Sequence, residues 1–118
     1  MNKSFANERS AFAFEKVSDI NDMKSLEKYR SLVRSLPATI LSNGYGLAMA
    51  SLYSKNENKA LYDHIEIWLK KQQMLPNREK NLMSNIAESD KDTYRLLESE
   101  TLALLEWLKR FAEGASVS

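Results

Sequence analysis

Residues 28–55 read KYRSLVRSLPATILSNGYGLAMASLYSK and contain no Asp or Glu, although charges of both signs are mixed in the rest of the chain. When residues 24–40 are drawn on a helix of 3.6 residues per turn, the apolar side chains fall on one arc and the basic side chains on the opposite arc. The apolar arc holds Leu26, Tyr29, Leu32, Val33, Leu36 and Ile40, and the basic arc holds Lys24, Lys28, Arg30 and Arg34. The pattern predicts a helix that buries one face.

The basic arc carries little bulk, because Ser31, Ser35 and Ala38 lie between its cations. Cations on a rigid helix with small neighbours can approach a phosphate backbone closely. The same spacing is typical of an ordinary solvated helix face, since Lys and Arg usually lie on surfaces. Both interpretations stay open on the spacing alone.

Composition sets the fold class. The chain has 118 residues, of which 43% are hydrophobic and 28% charged, and it has three Gly and two Pro. This length fits one domain, and so few turn residues disfavour many short strands. We therefore predict an all-α, compact single-domain bundle of about five to seven helices over residues 1–118, with loosely ordered tails at 1–6 and 114–118.

The residue types needed for an active site are scarce. The chain has no Cys, which excludes disulfides and thiolate metal sites, and His64 is the one His. His64 shares a helix face with Trp68, which favours a packed or half-exposed position. Acidic residues near 88–92 are explained as helix-start charges. With no catalytic constellation and no Gly-rich phosphate loop, we predict no enzyme, no metal and no cofactor.

Charge and hydropathy indicate the setting. Net charge is near neutral, but residues 1–60 carry nine basic and six acidic side chains, whereas 61–118 carry eight and ten. This asymmetry favours an anionic partner on one side of the molecule. The amino terminus lacks an apolar leader and no window reaches membrane-spanning length, so we expect a cytoplasmic protein without membrane contact.

The first half of the chain predicts three helices. The first covers about 7–20, and Asp22 is a suitable N-cap for the basic helix. Pro37 requires that this second helix either kinks there or ends near Leu36 and restarts, continuing to Ser42 in both cases. Asn43-Gly44 then predicts a helix-to-helix corner, with close backbone approach to a phosphate or sugar as a compatible alternative. The apolar helix after it, over 47–53, is expected to be largely enclosed.

The second half begins with a polar turn at 55–59 and an amphipathic helix around 61–69. Residues 74–78 break that helix, and a short helix near 82–86 leads to a clear helix start at Ser89-Asp90. The last helix should run from Thr93 to about Glu113. Its apolar surface exceeds what one neighbour covers, so it is either central to the bundle or shared with another subunit.

Two blocks carry a resemblance to a known family. The first runs from Tyr29-Arg30 through Leu36-Pro37 and Asn43-Gly44 to Lys55, and the second joins Tyr94-Arg95 with the stretch 103–113, ALLEWLKRFAE. Together they resemble the small helical subunit of the Cmr complex, the type III-B CRISPR effector that targets RNA. Tyr45, where an aliphatic residue is expected, and the long polar connection 73–85 depart from the family pattern.

The resemblance implies a non-catalytic subunit in antiviral defence. Its partners would be other Cmr subunits and copies of itself, stacked into a minor filament along the guide RNA and target RNA. Cleavage would belong to a neighbouring subunit, and contact with RNA would be independent of sequence. The residues expected to contact the RNA backbone are Lys24, Lys28, Arg30, Arg34 and Lys55, with Arg9, Lys16 and Asn43 as further candidates.

A different class of function is also compatible with the sequence. A helical adaptor could dock other proteins through its apolar last helix and never touch RNA. Tyr29 and Tyr53 could stack on bases, but their helical spacing favours positions in the core or at its rim. The adaptor hypothesis predicts that the basic arc stays free in any assembly.

Overall fold

The computed structural model describes residues 4–116, and within them the chain forms six α-helices and no strand. The helices are α1 (Phe5–Ser18), α2 (Met23–Asn43), α3 (Tyr45–Tyr53), α4 (Lys59–Lys71), α5 (Leu82–Glu88) and α6 (Lys91–Gly114), with a 3₁₀ turn at Asn56–Asn58. The all-α prediction is confirmed. Of the two predicted tails, residues 5, 6 and 114 are helical, while 1–3 and 117–118 lie outside the described residues.

The helix α6 is the centre of the bundle. It packs against α1, α2 and α4, and its buried stripe includes Leu97, Leu104, Leu105 and Leu108. Arg30 of α2 contacts the end of α6 and Gly46 of α3 contacts its beginning, so α2 and α6 run antiparallel. The long apolar surface predicted for α6 is therefore largely used inside the molecule.

Local capping explains where the helices begin. The Asp22 carboxylate accepts a hydrogen bond from the Ser25 amide at 2.9 Å, and Asp90 accepts one from Thr93 at 2.8 Å. Each bond satisfies one of the unpaired N–H groups of a first helical turn. The predicted helix-start signals at Asp22 and at Ser89-Asp90 are confirmed, and α6 begins at Lys91, two residues before the expected Thr93. By contrast α2 is unbroken through Pro37, so the alternative in which it ends near Leu36 is wrong.

The corner between α2 and α3 depends on Gly44. Its φ is +90° with ψ 154°, a region that is almost restricted to glycine, which confirms the predicted helix-to-helix corner. The expectation that α3 is largely enclosed is wrong at two positions. Leu47 is 64% exposed and Tyr53 is 47% exposed. The reason is that α3 packs through one side only, on which Ala48, Met49 and Leu52 are buried.

Replacing Gly44 with Ala is expected to lower the free energy of unfolding by about 1–3 kcal/mol, because a Cβ at this φ strains the backbone. The space is open there, so no steric clash contributes. Gly114→Ala is the matched control, since its surroundings are also open but its φ is not positive. Urea unfolding would show the difference, and equal midpoints for both variants would contradict the strain argument.

Tyr45 joins α3 to α6. Its ring is fully buried, and its hydroxyl lies 2.8 Å from Thr101 Oγ1. Next to it, the Gly46 amide donates to the Tyr94 hydroxyl at 2.8 Å, and a Cβ on Gly46 would lie 3.4 Å from that oxygen. A buried Tyr needs such a partner for its hydroxyl. The Thr101 hydroxyl supplies the partner that Tyr45 needs and that an aliphatic residue at this position would not need.

Candidate nucleic-acid interface

Four exposed cations lie on or next to α2. Lys24, Lys28 and Arg34 project from the helix, and Lys55 immediately precedes the 3₁₀ turn that packs against it. Within residues 4–116, no hydrogen bond or ion pair involves the side chains of Lys24, Arg34 or Lys55. We call these four residues the basic surface. Three of its cations are thus available to a phosphate without breaking an internal contact.

Lys28 has one acidic neighbour. Its Nζ lies 3.6 Å from Glu57 Oε1, and the two side chains are 45% and 65% exposed. An exposed pair of this kind contributes about 1 kcal/mol or less, so a phosphate can compete with the carboxylate. Lys24, Lys28 and Glu57 line one cavity of about 250 Å³ between α2 and α4. The structure therefore brings Lys24 and Lys28 together, whereas Arg34 lies farther along α2.

Arg30 has a different environment from the one expected. Its side chain is half-buried, and its guanidinium donates to the backbone carbonyls of Ala112, at 2.6 Å, and Ala115. These carbonyls lie at the carboxyl end of α6, where the helix dipole is negative and the last C=O groups lack partners. The guanidinium thus caps α6 from inside the molecule. We do not include Arg30 in the basic surface.

The three further candidates do not join the basic surface. Arg9 forms a bidentate pair with Glu100, at 2.7 and 2.9 Å, and this hydrogen bonding raises the pKa of the guanidinium. Lys16 lies 3.7 Å from Glu15 and over the ring of Phe12. Asn43 is the exposed last residue of α2. RNA contact by these three residues stays a prediction.

Glu100 is a structural residue that the sequence analysis did not identify. The side chain is buried, and its carboxylate accepts hydrogen bonds from Arg9 on α1 and, at 2.8 Å, from the Trp68 indole on α4. One signal was present in the sequence. Glu100 follows Leu97 by three residues and precedes Leu104 by four, which places it on the buried stripe of α6. Through these hydrogen bonds Glu100 joins α6 to α1 and α4.

The single His is packed against the basic helix. The hydroxyl of the buried Tyr29 lies 2.8 Å from His64 Nδ1. Burial, assisted by the charge of Lys16, lowers the pKa of His64 to about 4, with Asp19 acting in the opposite direction. The imidazole is therefore neutral at pH 7 and held between α2 and α4. This confirms the predicted core or rim position of Tyr29 and the packed position of His64.

Stability is expected to fall with pH below about 6.5. A His with a lowered folded-state pKa binds more protons when unfolded, so unfolding becomes easier as pH drops from 6.5 towards 4. The loss should reach about 1–2 kcal/mol by pH 5, after allowance for partial solvent access. Urea unfolding at pH 7.5, 6 and 5 tests this. His64→Asn, which keeps an acceptor for Tyr29, should remove the slope between pH 7.5 and 6; an unchanged slope would contradict it.

We looked next for metal ligands and membrane-spanning helices in the described part of the chain. Among residues 4–116, no three His, Cys, Asp or Glu side chains converge in a way that could hold a metal ion. None of the six helices described there is both long enough and apolar enough to cross a membrane.

Fold and surface together define a small all-helical domain that displays cations along one rigid helix. A family model described as "CRISPR-associated protein (Cas_Cmr5)" matches residues 5–115. The chain therefore belongs to the Cas_Cmr5 family and is a small accessory subunit of the type III-B Cmr complex, which confirms the resemblance found in its sequence.

A solved structure supports this assignment. The chain is similar to a CRISPR-associated Cmr5 family protein from Thermus thermophilus, whose crystal structure it matches with a TM-score of 0.76 and 28% sequence identity. The match covers 95% of this chain and 97% of the other. The two proteins therefore share one fold over nearly their whole length.

Proposed function

We propose that this chain is a non-catalytic Cmr subunit that holds the RNA backbone of the guide/target duplex through its basic surface. The observation that carries the proposal is the exposure of Lys24, Arg34 and Lys55 without an internal ion pair within residues 4–116. Cations on a rigid helix bind phosphates regardless of base sequence. In an RNA-guided complex, base pairing between guide and target recognises the sequence, so a protein subunit that holds the duplex needs only such sequence-independent contacts.

A non-catalytic role fits the environment of the His. His64, the natural candidate for proton transfer, is engaged by the Tyr29 hydroxyl and has a pKa far below neutrality. A general base works best with a pKa near the operating pH. The chain then supports target binding, and neighbouring subunits carry out cleavage.

Stacking of copies into a minor filament is the second part of the proposal. Apolar side chains are exposed towards both ends of the antiparallel α2 and α6 pair. Leu41 and Leu47 are 80% and 64% exposed beside the Gly44 corner, and Phe14 is 59% exposed against Phe111 near the end of α6. Head-to-tail stacking needs two different surfaces of this kind on one molecule. Other Cmr subunits are the alternative occupants of either surface.

The competing function is a protein adaptor without RNA contact. The exposed Leu96 and Trp107 on α6 favour this adaptor function. The apolar stripe of α6 is already used in packing against the other helices, so these two side chains remain for contact with another protein. In that case the basic surface stays free when the complex binds RNA.

Crosslinking of the assembled complex separates the two functions. A target RNA with 4-thiouridine at successive positions is bound, irradiated and digested, and the crosslinked peptides are identified by mass spectrometry. We expect crosslinks from this subunit to lie in residues 23–43 and 54–60. Crosslinks confined to α5 and α6, or none from this subunit at any RNA position, would contradict RNA contact by the basic surface.

A further inference from the structure

One end of the bundle holds a cavity of about 350 Å³, at the point where α1 and α6 end and α2 begins. Its walls are mainly apolar, with one cation among them: Phe14, Val17, Ile20, Leu26, Phe111 and Arg110. Phe14 is 59% exposed, so the cavity is accessible from solvent. An apolar cavity of about 150 Å³ can hold a benzene ring, and this larger one has room for an aliphatic side chain.

Arg110 is the charged side chain of this cavity. It is exposed, and among residues 4–116 it forms no hydrogen bond or ion pair. Arg30 shows what a guanidinium does in this molecule, because it donates to the last carbonyls of α6. A guanidinium presents five N–H donors in a fixed fork. Arg110 can therefore cap the carbonyl end of a helix that belongs to another molecule.

The opposite end of the bundle carries a protruding aliphatic side chain. Leu41 lies in the last turn of α2 and is 80% exposed, more than any other large apolar side chain of the described residues. The helix between Leu26, which lines the cavity, and Leu41 spans about 22 Å at 1.5 Å per residue. One molecule therefore cannot place its own Leu41 in its own cavity, whereas two molecules end to end can.

Hydrogen-bond acceptors without partners surround Leu41. The Gly44 amide donates to the Ile40 carbonyl at 2.9 Å, but the next three carbonyls, at residues 41–43, accept no hydrogen bond within residues 4–116. The last turn of α2 contains no basic residue that could complement them. Such carbonyls at a helix end favour a cationic donor from outside the helix. The end of α2 thus matches the cavity twice, with an aliphatic side chain for its walls and acceptors for Arg110.

We propose that Leu41 of one copy of this chain inserts into the cavity of the next copy, and that Arg110 of the receiving copy caps the carbonyls at the end of the inserted α2. This inference rests on the stacking part of the proposed function, and it names the two surfaces that meet. Because the surfaces differ, the contact repeats from copy to copy and does not close on itself after two copies. Burial of Leu41 holds the copies together, and Arg110 fixes their orientation.

Crosslinking within the assembled complex tests this contact directly. The chain has no Cys, so Ser18→Cys at the cavity and Ser42→Cys beside Leu41 introduce its only thiols. With both changes in one chain, a short bismaleimide should link successive copies into a ladder of dimers, trimers and longer products. Either change alone should give no product longer than a dimer. Ser18→Cys with Ser31→Cys, at an exposed Ser in the middle of α2, is the matched control pair and should give no ladder.

Substitutions at the contact test its energetic importance. Leu41→Glu should weaken association between copies about 10- to 100-fold, the effect of losing the burial of one Leu side chain, and native mass spectrometry should count fewer copies per complex. The melting temperature of the free chain should stay the same, because Leu41 is exposed there. Arg110→Gln should weaken association about two- to tenfold. Ile67→Glu, at an exposed aliphatic residue of α4, is the control and should keep the parent copy number.

The outcomes distinguish this inference from the proposed function. If the complex holds several copies but shows no ladder, and Leu41→Glu leaves their number unchanged, the insertion of Leu41 is overturned and stacking uses other surfaces. Linkage of Ser18→Cys to a different Cmr subunit, in place of a second copy, overturns it as well. A parent complex with a single copy would refute stacking itself, and this inference with it. RNA contact is tested separately, by reversing the charges of Lys24, Arg34 and Lys55.

Discussion

Replacing Glu100 with Ala is expected to lower the free energy of unfolding by about 3–5 kcal/mol, the largest stability effect that we expect from truncating any one polar side chain of this protein. The carboxylate accepts from Arg9 Nε at 2.7 Å, Arg9 Nη2 at 2.9 Å and Trp68 Nε1 at 2.8 Å. Its removal leaves the part-buried Arg9 guanidinium and the buried Trp68 indole N–H without an acceptor. Urea unfolding followed by circular dichroism measures the loss.

Two further variants give this prediction its controls. Glu106→Ala removes an exposed carboxylate from the same helix and should change stability by less than about 0.5 kcal/mol. The paired change Arg9→Met with Glu100→Leu removes both charges and should recover much of the loss, because an apolar pair often replaces a buried ion pair without cost. A Glu100→Ala midpoint equal to that of Glu106→Ala would show that the network contributes nothing to stability.

The parts of the fold that could be predicted from sequence depend on local signals. Asp22 and Asp90 cap the helices that follow them, and the amide each one binds lies three residues away. Gly44 ends α2 because its own φ is positive. Helix periodicity also predicted the buried faces of α2 and α6, because the apolar spacing that marks a buried face lies within a single helix.

The parts that could not be predicted depend on distant partners. Arg30 lies among the cations in sequence, but the carbonyls that it caps are 82 and 85 residues away. Arg9 and Glu100 are 91 residues apart. Periodicity places a side chain on a face but does not say which other element that face meets. Two of the eight candidate residues therefore proved to hold the bundle together.

The second large effect is expected on RNA binding. Reversing Lys24, Arg34 and Lys55 to Glu should weaken retention of target RNA by the assembled complex about 10- to 100-fold, because three phosphate contacts become repulsive. These side chains form no hydrogen bond or ion pair within residues 4–116, so helicity and melting temperature should be largely unchanged. Arg30 is kept, because its loss would uncap α6.

A matched control variant has the same net charge as this triple variant. Arg78, Lys91 and Arg95 are exposed cations outside α2, and their reversal to Glu changes the charge of the chain by the same amount. If RNA binding depends on net charge alone, both triple variants lose it equally. If it depends on the basic surface, only the first does.

The most direct measurement is the retention of target RNA by the assembled complex across a series of salt concentrations. Loss of the cations Lys24, Arg34 and Lys55 should make the plot of log affinity against log salt shallower by about 2–3 units per copy, whereas the control triple variant should follow the parent. Equal retention by the two triple variants and the parent at every salt concentration would contradict RNA binding by this surface.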